Sequence, residues 1–197
     1  MTHQRNLAWH INSLGLSDVV MNDLLKMANI SQDFMGIFPF DQLNRIKEIP
    51  APVKCCYTTI IINVGGHFVM ICFGQFFTLY VDSFGKPIER DQVYNFIRRV
   101  RPFTPFFYNS TQVQSLQSTH CGLYAVLFSL FFDRCQRPAS LIGRQQNIRS
   151  SRYQPYSIPA PFVTPPKTPF TMYFSKEPNQ LLLNDELCIS YIQKLAK

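Results

Sequence analysis

Three apolar runs separated by tight turns occupy the middle of this 197-residue chain. Residues 55–63 are β-branched and aromatic, and residues 67–73 and 76–81 continue the pattern after Gly65-Gly66 and Gly74-Gln75. Short runs of this kind, joined by glycine turns, predict three strands of an antiparallel meander. Because the runs are apolar throughout and do not alternate with polar residues, helices should cover both faces of the sheet.

Four helical patterns surround these strands. Residues 17–28 are amphipathic with Ser17 as a candidate N-cap, and residues 89–101 end in basic side chains. Residues 119–134 are apolar almost all round, which at this length predicts a buried central helix, capped by Ser118 or Thr119. A final amphipathic helix is predicted over about 185–195. The pattern predicts an α+β fold with an antiparallel or mixed central sheet.

Two segments lack a regular pattern. Residues 34–39 are predicted to be a loop because Gly36 and Pro39 interrupt the apolar sequence. Residues 153–178 hold seven of the 14 prolines, which excludes a helix or a central strand and predicts an extended strap or loop. The length and a hydrophobic content of 46% fit one domain over residues 1–197 that includes this strap.

Charge and cysteine content narrow the function classes. The net charge is +7, and residues 134–176 carry seven basic side chains and no acidic one. A second basic cluster is Arg98, Arg99 and Arg101. Such stretches favour non-specific contact with the phosphates of DNA or RNA, although a solvated basic surface is the plain alternative. The six cysteines show no metal-ligand spacing and predict reduced thiols. No signal peptide or membrane span is expected, and the protein is expected to be a monomer.

Four residues suggest thiol chemistry. Cys121 would lie in the first turn of the buried helix, where the helix dipole favours a thiolate. His67 is the candidate base, and with the turn centred on Gly74-Gln75 the hairpin pairs position 67 directly with Asp82, which would orient the imidazole. Gln114, seven residues before the cysteine, would stabilise an oxyanion together with the Cys121 N–H. Gly122 would keep bulk away from the attacked carbonyl.

Each residue also has an ordinary interpretation. Cys121 fits a buried small hydrophobe, His67 a structural or exposed residue, and Asp82 a turn residue. Gln114 lies in a polar loop where glutamine is common. His120 is a competing base, although neighbouring helical residues point about 100° apart and do not face each other. Only the combination, with the hairpin pairing, favours catalysis.

The motifs resemble the adenovirus protease (adenain) family. The similarity lies in Gly65-Gly66-His67-Phe68, in Asp82-Ser83-Phe84-Gly85, and in Ser110-Thr111-Gln112-Val113-Gln114 followed by Cys121-Gly122-Leu123-Tyr124. The loop from Phe34 to Asp41 is similar too. As a whole, the resemblance covers about residues 15–135. It implies a cysteine endopeptidase whose buried helix carries the nucleophile, with His67 as base, Asp82 as orienting carboxylate, Cys121 as nucleophile and Gln114 as oxyanion donor.

The resemblance also implies a biological setting. It predicts cleavage of viral precursor polypeptides during virion maturation, in the host nucleus and the virion, with DNA or an activating peptide as candidate activators and no cofactor needed for the chemistry. This chain has Asp82 where the family has Glu, and Phe68 where it has Trp. It has no cysteine in 83–120, so activation by a disulfide-tethered peptide is not expected. Two rival hypotheses are a deconjugating protease for ubiquitin-like or SUMO-like modifiers and a non-catalytic DNA-binding or protein-binding module.

Overall fold

The protein has an α+β architecture in which helices pack on a mixed β-sheet. The computed structural model describes residues 15–30, 33–50, 57–75, 77–109, 112–134, 156–158 and 181–195. Within them the helices are α1 (Asp18–Met27), a short 3-10 helix (Phe40–Arg45), α2 (Asp91–Val100), α3 (Cys121–Arg134) and α4 (Leu181–Leu195). The strands are β1 (Phe34–Pro39), β2 (Thr58–Asn63), β3 (Phe68–Phe73), β4 (Thr78–Val81), β5 (Phe106–Asn109) and β6 (Tyr156–Ile158).

The described strands form one sheet in the order β1-β2-β3-β4-β5-β6. The predicted meander is confirmed, because β2, β3 and β4 pair antiparallel. The outer strands add parallel pairs: β1 with β2, β4 with β5, and β5 with β6. The sheet is therefore mixed. The carboxyl ends of β4 and β5 and the amino end of β3 lie at the same edge.

Helices cover both faces of the sheet, as the apolar runs predict. On one face, Met70, Leu79 and Val81 share a buried cluster with residues of α1, α3 and α4. On the other face, strand residues such as Ile71 pack with the 3-10 helix and α2. Helix α3 is the central buried helix that the sequence predicts, because all of its residues from Cys121 to Leu130 are buried.

The predicted pairing of β3 with β4 is wrong by two residues. The observed pairs are Met70 with Val81 and Phe73 with Thr78, and the turn is closed by a 2.9 Å hydrogen bond from Gly74 N to Phe77 O. The Phe77 ring packs on Gly74, where a Cβ would lie 3.0 Å from it, so Gly74 takes a paired position and the turn comes later. Continued past its last pair, Met70 with Val81, this register would place position 67 opposite position 84 and diagonal to Asp82. A shift of two keeps every side chain on its face of the sheet, so the predicted contact survives.

The segment predicted as a loop at 34–39 is strand β1. Gly36 has φ +126, and the pairing with β2 shifts between Phe34 and Ile37. Among the described strands β1 lies at the edge of the sheet, where a bulge and a terminal proline such as Pro39 are tolerated. The sequence rule that glycine and proline break strands therefore failed because it applies to central strands.

The helix boundaries agree with the pattern except at their starts. The Ser17 side chain caps α1 by accepting from Val20 N at 3.4 Å, as predicted. Helix α3 begins later than predicted, at Cys121, and Ser118 Oγ accepts from His120 N at 3.2 Å, one residue before the helix. Helix α4 begins four residues earlier than predicted, at Leu181. The strap at 153–178 lies outside the described residues except for Tyr156–Ile158, which pairs with β5.

Gly122 is a packing residue at the start of α3, and its expected role beside the attacked carbonyl stays a prediction. A Cβ on Gly122 would lie 2.9 Å from Met21 Sδ and 3.2 Å from Leu16 Cβ. The nearby Gly15 is equally close to the helix, because its Cβ would lie 2.8 Å from Thr119 O. The segment before α1 therefore crosses directly against the start of α3, and glycine is needed where the two meet.

We expect Gly122→Ala to lower the free energy of unfolding by about 1–2 kcal/mol, because overpacking at Leu16 and Met21 outweighs the gain in helix propensity. Denaturant unfolding measures this difference. Asn95→Ala is the control, because Asn95 is exposed in α2 and also gains helix propensity, although less than a glycine does, without a clash. A Gly122→Ala protein as stable as this control would show that the crossing is not tight.

Candidate active site

The candidate site lies at the edge of the sheet where β3 begins and β4 ends. His67 immediately precedes β3, and Asp82 immediately follows β4. His67 Nε2 lies 2.9 Å from Asp82 Oδ1, and the Asp82 side chain is almost completely buried. The predicted pairing of base and carboxylate is therefore present as a diagonal contact across the hairpin. It leaves Nδ1 as the ring nitrogen available to the thiol.

Two further contacts fix the position of the imidazole. The Phe84 ring, in the turn that follows β4, stacks on it with centroids 4.8 Å apart. The Phe84 N–H donates to Asp82 Oδ1 at 2.8 Å, so the oxygen that binds the imidazole also holds the turn. Stacking on one face and a hydrogen bond at the edge restrict rotation of the His67 ring.

Asn109 holds the backbone of Asp82, and sequence reasoning missed it. Asn109 Nδ2 donates to Asp82 O at 2.7 Å, and Asn109 Oδ1 accepts from Asp82 N at 2.7 Å. Asn109 is buried at the last position of β5, the parallel neighbour of β4. The signal that could have revealed it is a polar residue at the end of an aromatic strand. It was overlooked because the sequence does not show that β5 lies beside β4.

Cys121 lies at the first position of α3 with 9% of its surface exposed, close enough to His67 to influence the pKa of the imidazole. Burial by itself would lower the pKa of His67, but hydrogen bonds to Asp82 and Cys121 and their charges outweigh burial and raise that pKa from 6.5 to about 9. The imidazole is therefore cationic at neutral pH. A cationic imidazole and the N-terminus of a helix are surroundings in which a cysteine can act as a nucleophile.

Gln114 lies within the site but is directed into the protein. It is fully buried; its Oε1 accepts from Ser83 Oγ at 2.5 Å, and its Nε2 donates to Ser118 O at 3.0 Å and to Ser118 Oγ at 3.2 Å. Its backbone N–H donates to Ser83 O. Gln114 thus connects the Asp82 turn with the segment that leads to Cys121. The predicted oxyanion role stays a prediction, and it requires one N–H of the amide to turn from Ser118 towards the substrate.

His120 does not compete with His67 for the thiol in this arrangement. His120 Nδ1 lies 3.5 Å from Asp185 Oδ2 on α4 and 3.3 Å from Ser118 Oγ. The ring is therefore engaged by the last helix. This agrees with the expectation that neighbouring residues at a helix start point in different directions.

The second basic cluster, Arg98, Arg99 and Arg101, makes hydrogen bonds within the protein. Arg99 Nη2 donates to Leu43 O at 2.7 Å, Arg101 Nη2 donates to Pro50 O at 3.2 Å, and Arg98 Nε donates to Tyr94 Oη at 3.1 Å. Arg99 thereby attaches α2 to the 3-10 helix. The main basic stretch, 134–176, lies outside the described residues except for the backbone of Arg134 and of Tyr156–Ile158. Contact with DNA stays a prediction.

In the described part of the chain no group of histidine, cysteine and acidic side chains could hold a metal ion. The thiols described there, Cys72, Cys121 and Cys188, are free and buried. None of the helices described is long and apolar enough to cross a membrane. The sequence matches no model of a known protein family and no curated protein. Functional inference therefore depends on the geometry of His67, Asp82 and Cys121.

Proposed function

We propose that this protein is a cysteine endopeptidase. The observation that supports this most directly is the imidazole of His67, which is bound by Asp82 at 2.9 Å and whose pKa, against burial, is raised by Asp82 and by the nearby Cys121. The three groups come from the start of β3, the end of β4 and the start of α3. A base oriented by a carboxylate and close to a thiol at a helix N-terminus is the arrangement that nucleophilic catalysis by cysteine needs.

The chemistry follows from these positions. The Cys121 thiolate attacks the carbonyl carbon of the scissile peptide, and the carbonyl oxygen becomes an oxyanion. The imidazolium of His67 gives its proton from Nδ1 to the leaving amine as the C–N bond breaks and a thioester forms. A water molecule then attacks the thioester while His67 accepts its proton, which releases the acid and the free thiol.

The oxyanion needs donors close to Cys121. The first amides of a helix have no intrahelical acceptor, so the Cys121 N–H at the start of α3 is one donor. Gln114 supplies the second when one of its N–H groups leaves Ser118. These donors would stabilise the charge that develops on the carbonyl oxygen during attack.

The biological setting is proposed from the motif resemblance. It supports an adenain-like maturation protease that cleaves viral precursor polypeptides in the host nucleus and the virion. DNA is the proposed activator, through the basic stretch 134–176. Stimulation by DNA through phosphate contacts would weaken as salt is added, since counterions are released on binding.

The proposed nucleophile is tested by alkylation with iodoacetamide at pH 6. Free thiols are almost completely protonated at this pH, so only a thiol stabilised as thiolate reacts quickly. We expect mass spectrometry to find Cys121 modified at least about tenfold faster than glutathione under the same conditions. Cys72 and Cys188 should stay unmodified in the folded protein, because both are fully buried and burial raises the pKa of each thiol. A Cys121 that reacts more slowly than glutathione would refute the proposal.

A further inference from the structure

The start of α4 binds the segment that carries Gln114. The contact is at the amino-terminal end of that segment. Asn184 Nδ2 donates to Val113 O at 2.7 Å, and Tyr124 Oη lies 3.2 Å from the same oxygen. Val113 immediately precedes Gln114, and both of the groups that hold it are buried. The backbone on the amino side of Gln114 is therefore fixed by α3 and α4 together.

The other end of the segment is held through Ser118. The Ser118 hydroxyl accepts from Gln114 Nε2 at 3.2 Å and from His120 N at 3.2 Å, and it lies 3.3 Å from His120 Nδ1, the ring nitrogen that faces the Asp185 carboxylate. The Gln114 amide therefore contacts the same hydroxyl as His120, and His120 connects that hydroxyl with Asp185. This hydroxyl lies three residues before Cys121.

Asp185 is the centre of this arrangement. Its Oδ1 accepts from Tyr124 Oη at 2.8 Å, and its Oδ2 lies 3.5 Å from His120 Nδ1. Burial would raise the pKa of this carboxyl, but hydrogen bonds from His120, Ser118 and Tyr124 outweigh burial and lower it. Asp185 is therefore an ionised carboxylate, 6% exposed, that is held by Tyr124 and His120.

We propose that Asp185 is a positioning residue for the thiol chemistry, because it holds His120, which contacts Ser118 and through Ser118 the Gln114 amide. The inference rests on the proposed function and adds a second His–Asp pair to it, with a different task. His67 and Asp82 set the protonation of the nucleophile. Asp185 and His120 set the geometry of the loop that supplies the oxyanion donor.

Two reagents separate positioning from general structural support. Acylation of Cys121 by p-nitrophenyl acetate passes through a tetrahedral oxyanion, whereas alkylation by iodoacetamide displaces iodide and forms no oxyanion. A loop that misplaces Gln114 should slow only the first reaction. A protein that is merely loosened around the thiol should show the same change in both.

For Asp185→Asn we expect burst acylation, measured above the background of Cys121→Ala, to fall at least about tenfold. Alkylation of Cys121 should stay within about threefold of the wild type, since His67 and Asp82 are untouched. Ser118→Ala should give the same split, and it decides the question if Asp185→Asn does not fold. Glu186→Gln is the control, because it removes the same charge from an exposed neighbour on α4 and should change neither rate.

Two results would overturn the positioning role. One is a pair of unchanged rates in Asp185→Asn and Ser118→Ala, and the other is a fall in both rates by the same factor. Failure of the proposed function has a different signature. In that case wild-type Cys121 itself reacts with neither reagent faster than glutathione, and the positioning role falls with it.

Discussion

Replacement of Cys121 by alanine is expected to abolish peptide cleavage, with a loss of at least about 10⁴-fold that is limited only by the detection of product. The thiol is the only group at the site that can form the thioester, and neither His67 nor Asp82 can replace it as the nucleophile. The assay incubates the full-length protein with a pool of extended peptides and maps new termini by mass spectrometry. Cut sites that appear with the wild type and not with the variant define the substrate preference.

Cys72→Ala is the matched control for this loss. Cys72 is a free thiol on β3, fully buried in the cluster that also contains Leu79. Its removal costs packing, which thermal unfolding reports, and should leave the cleavage rate within about threefold, since the expected cost is stability alone. Cleavage by Cys121→Ala at the wild-type rate would move the nucleophile elsewhere. A preference for cutting after Gly-Gly at the end of a folded modifier would favour the deconjugating hypothesis over maturation.

The sequence predicted the contact between His67 and Asp82, but from a strand register that the structure shifts by two residues. The contact still forms because a shift of two preserves the face and leaves the residues as diagonal neighbours. The error lay in the turn, where packing of the Phe77 ring on Gly74 decides the register. Such a contact between neighbouring turn residues cannot be read from their propensities.

The residues missed are those held by long-range pairing. Asn109 supports Asp82 only because β5 lies parallel to β4, and Asp185 reaches His120 and Tyr124 only because α4 packs beside α3. Neither the pairing of the strands nor the packing of the helices produces a local pattern in the sequence. Hydrophobic periodicity and turn residues predicted the meander and the buried helix. Edge strand β1 and the start of α4 depend on the elements that they pack against.

Asp82→Asn is expected to slow peptide cleavage by about tenfold or more at pH 7.5. Cleavage uses the cationic imidazole of His67 as the proton donor to the leaving amine, and the fraction of cationic imidazole falls in this variant. Asp82 raises the pKa of His67 against burial, so its charge keeps the imidazole protonated above neutral pH. Asparagine keeps the shape and an acceptor for the Phe84 N–H but removes the charge. The pKa of His67 should then fall from about 9, and the imidazole should be largely neutral at pH 7.5. The ratio of variant to wild-type rate should rise as the pH is lowered, because the imidazole regains its proton.

The raised pKa of His67 also predicts how the free energy of unfolding changes with pH. A folded-state pKa of about 9 against 6.5 means that protonated His67 stabilises the fold fully below pH 6.5, and that this contribution is lost as the pH rises through 9. The loss should amount to at most about 3 kcal/mol in the wild type and should be much smaller in Asp82→Asn. Imidazole NMR titration and denaturant unfolding at pH 6 and pH 10 measure the two quantities. Glu89→Gln, which removes the same charge from an exposed side chain, should behave as the wild type in both. An unchanged His67 titration in Asp82→Asn would mean that the carboxylate does not hold the imidazole in its charged form. Asp82 would then lose its assigned role as the orienting carboxylate.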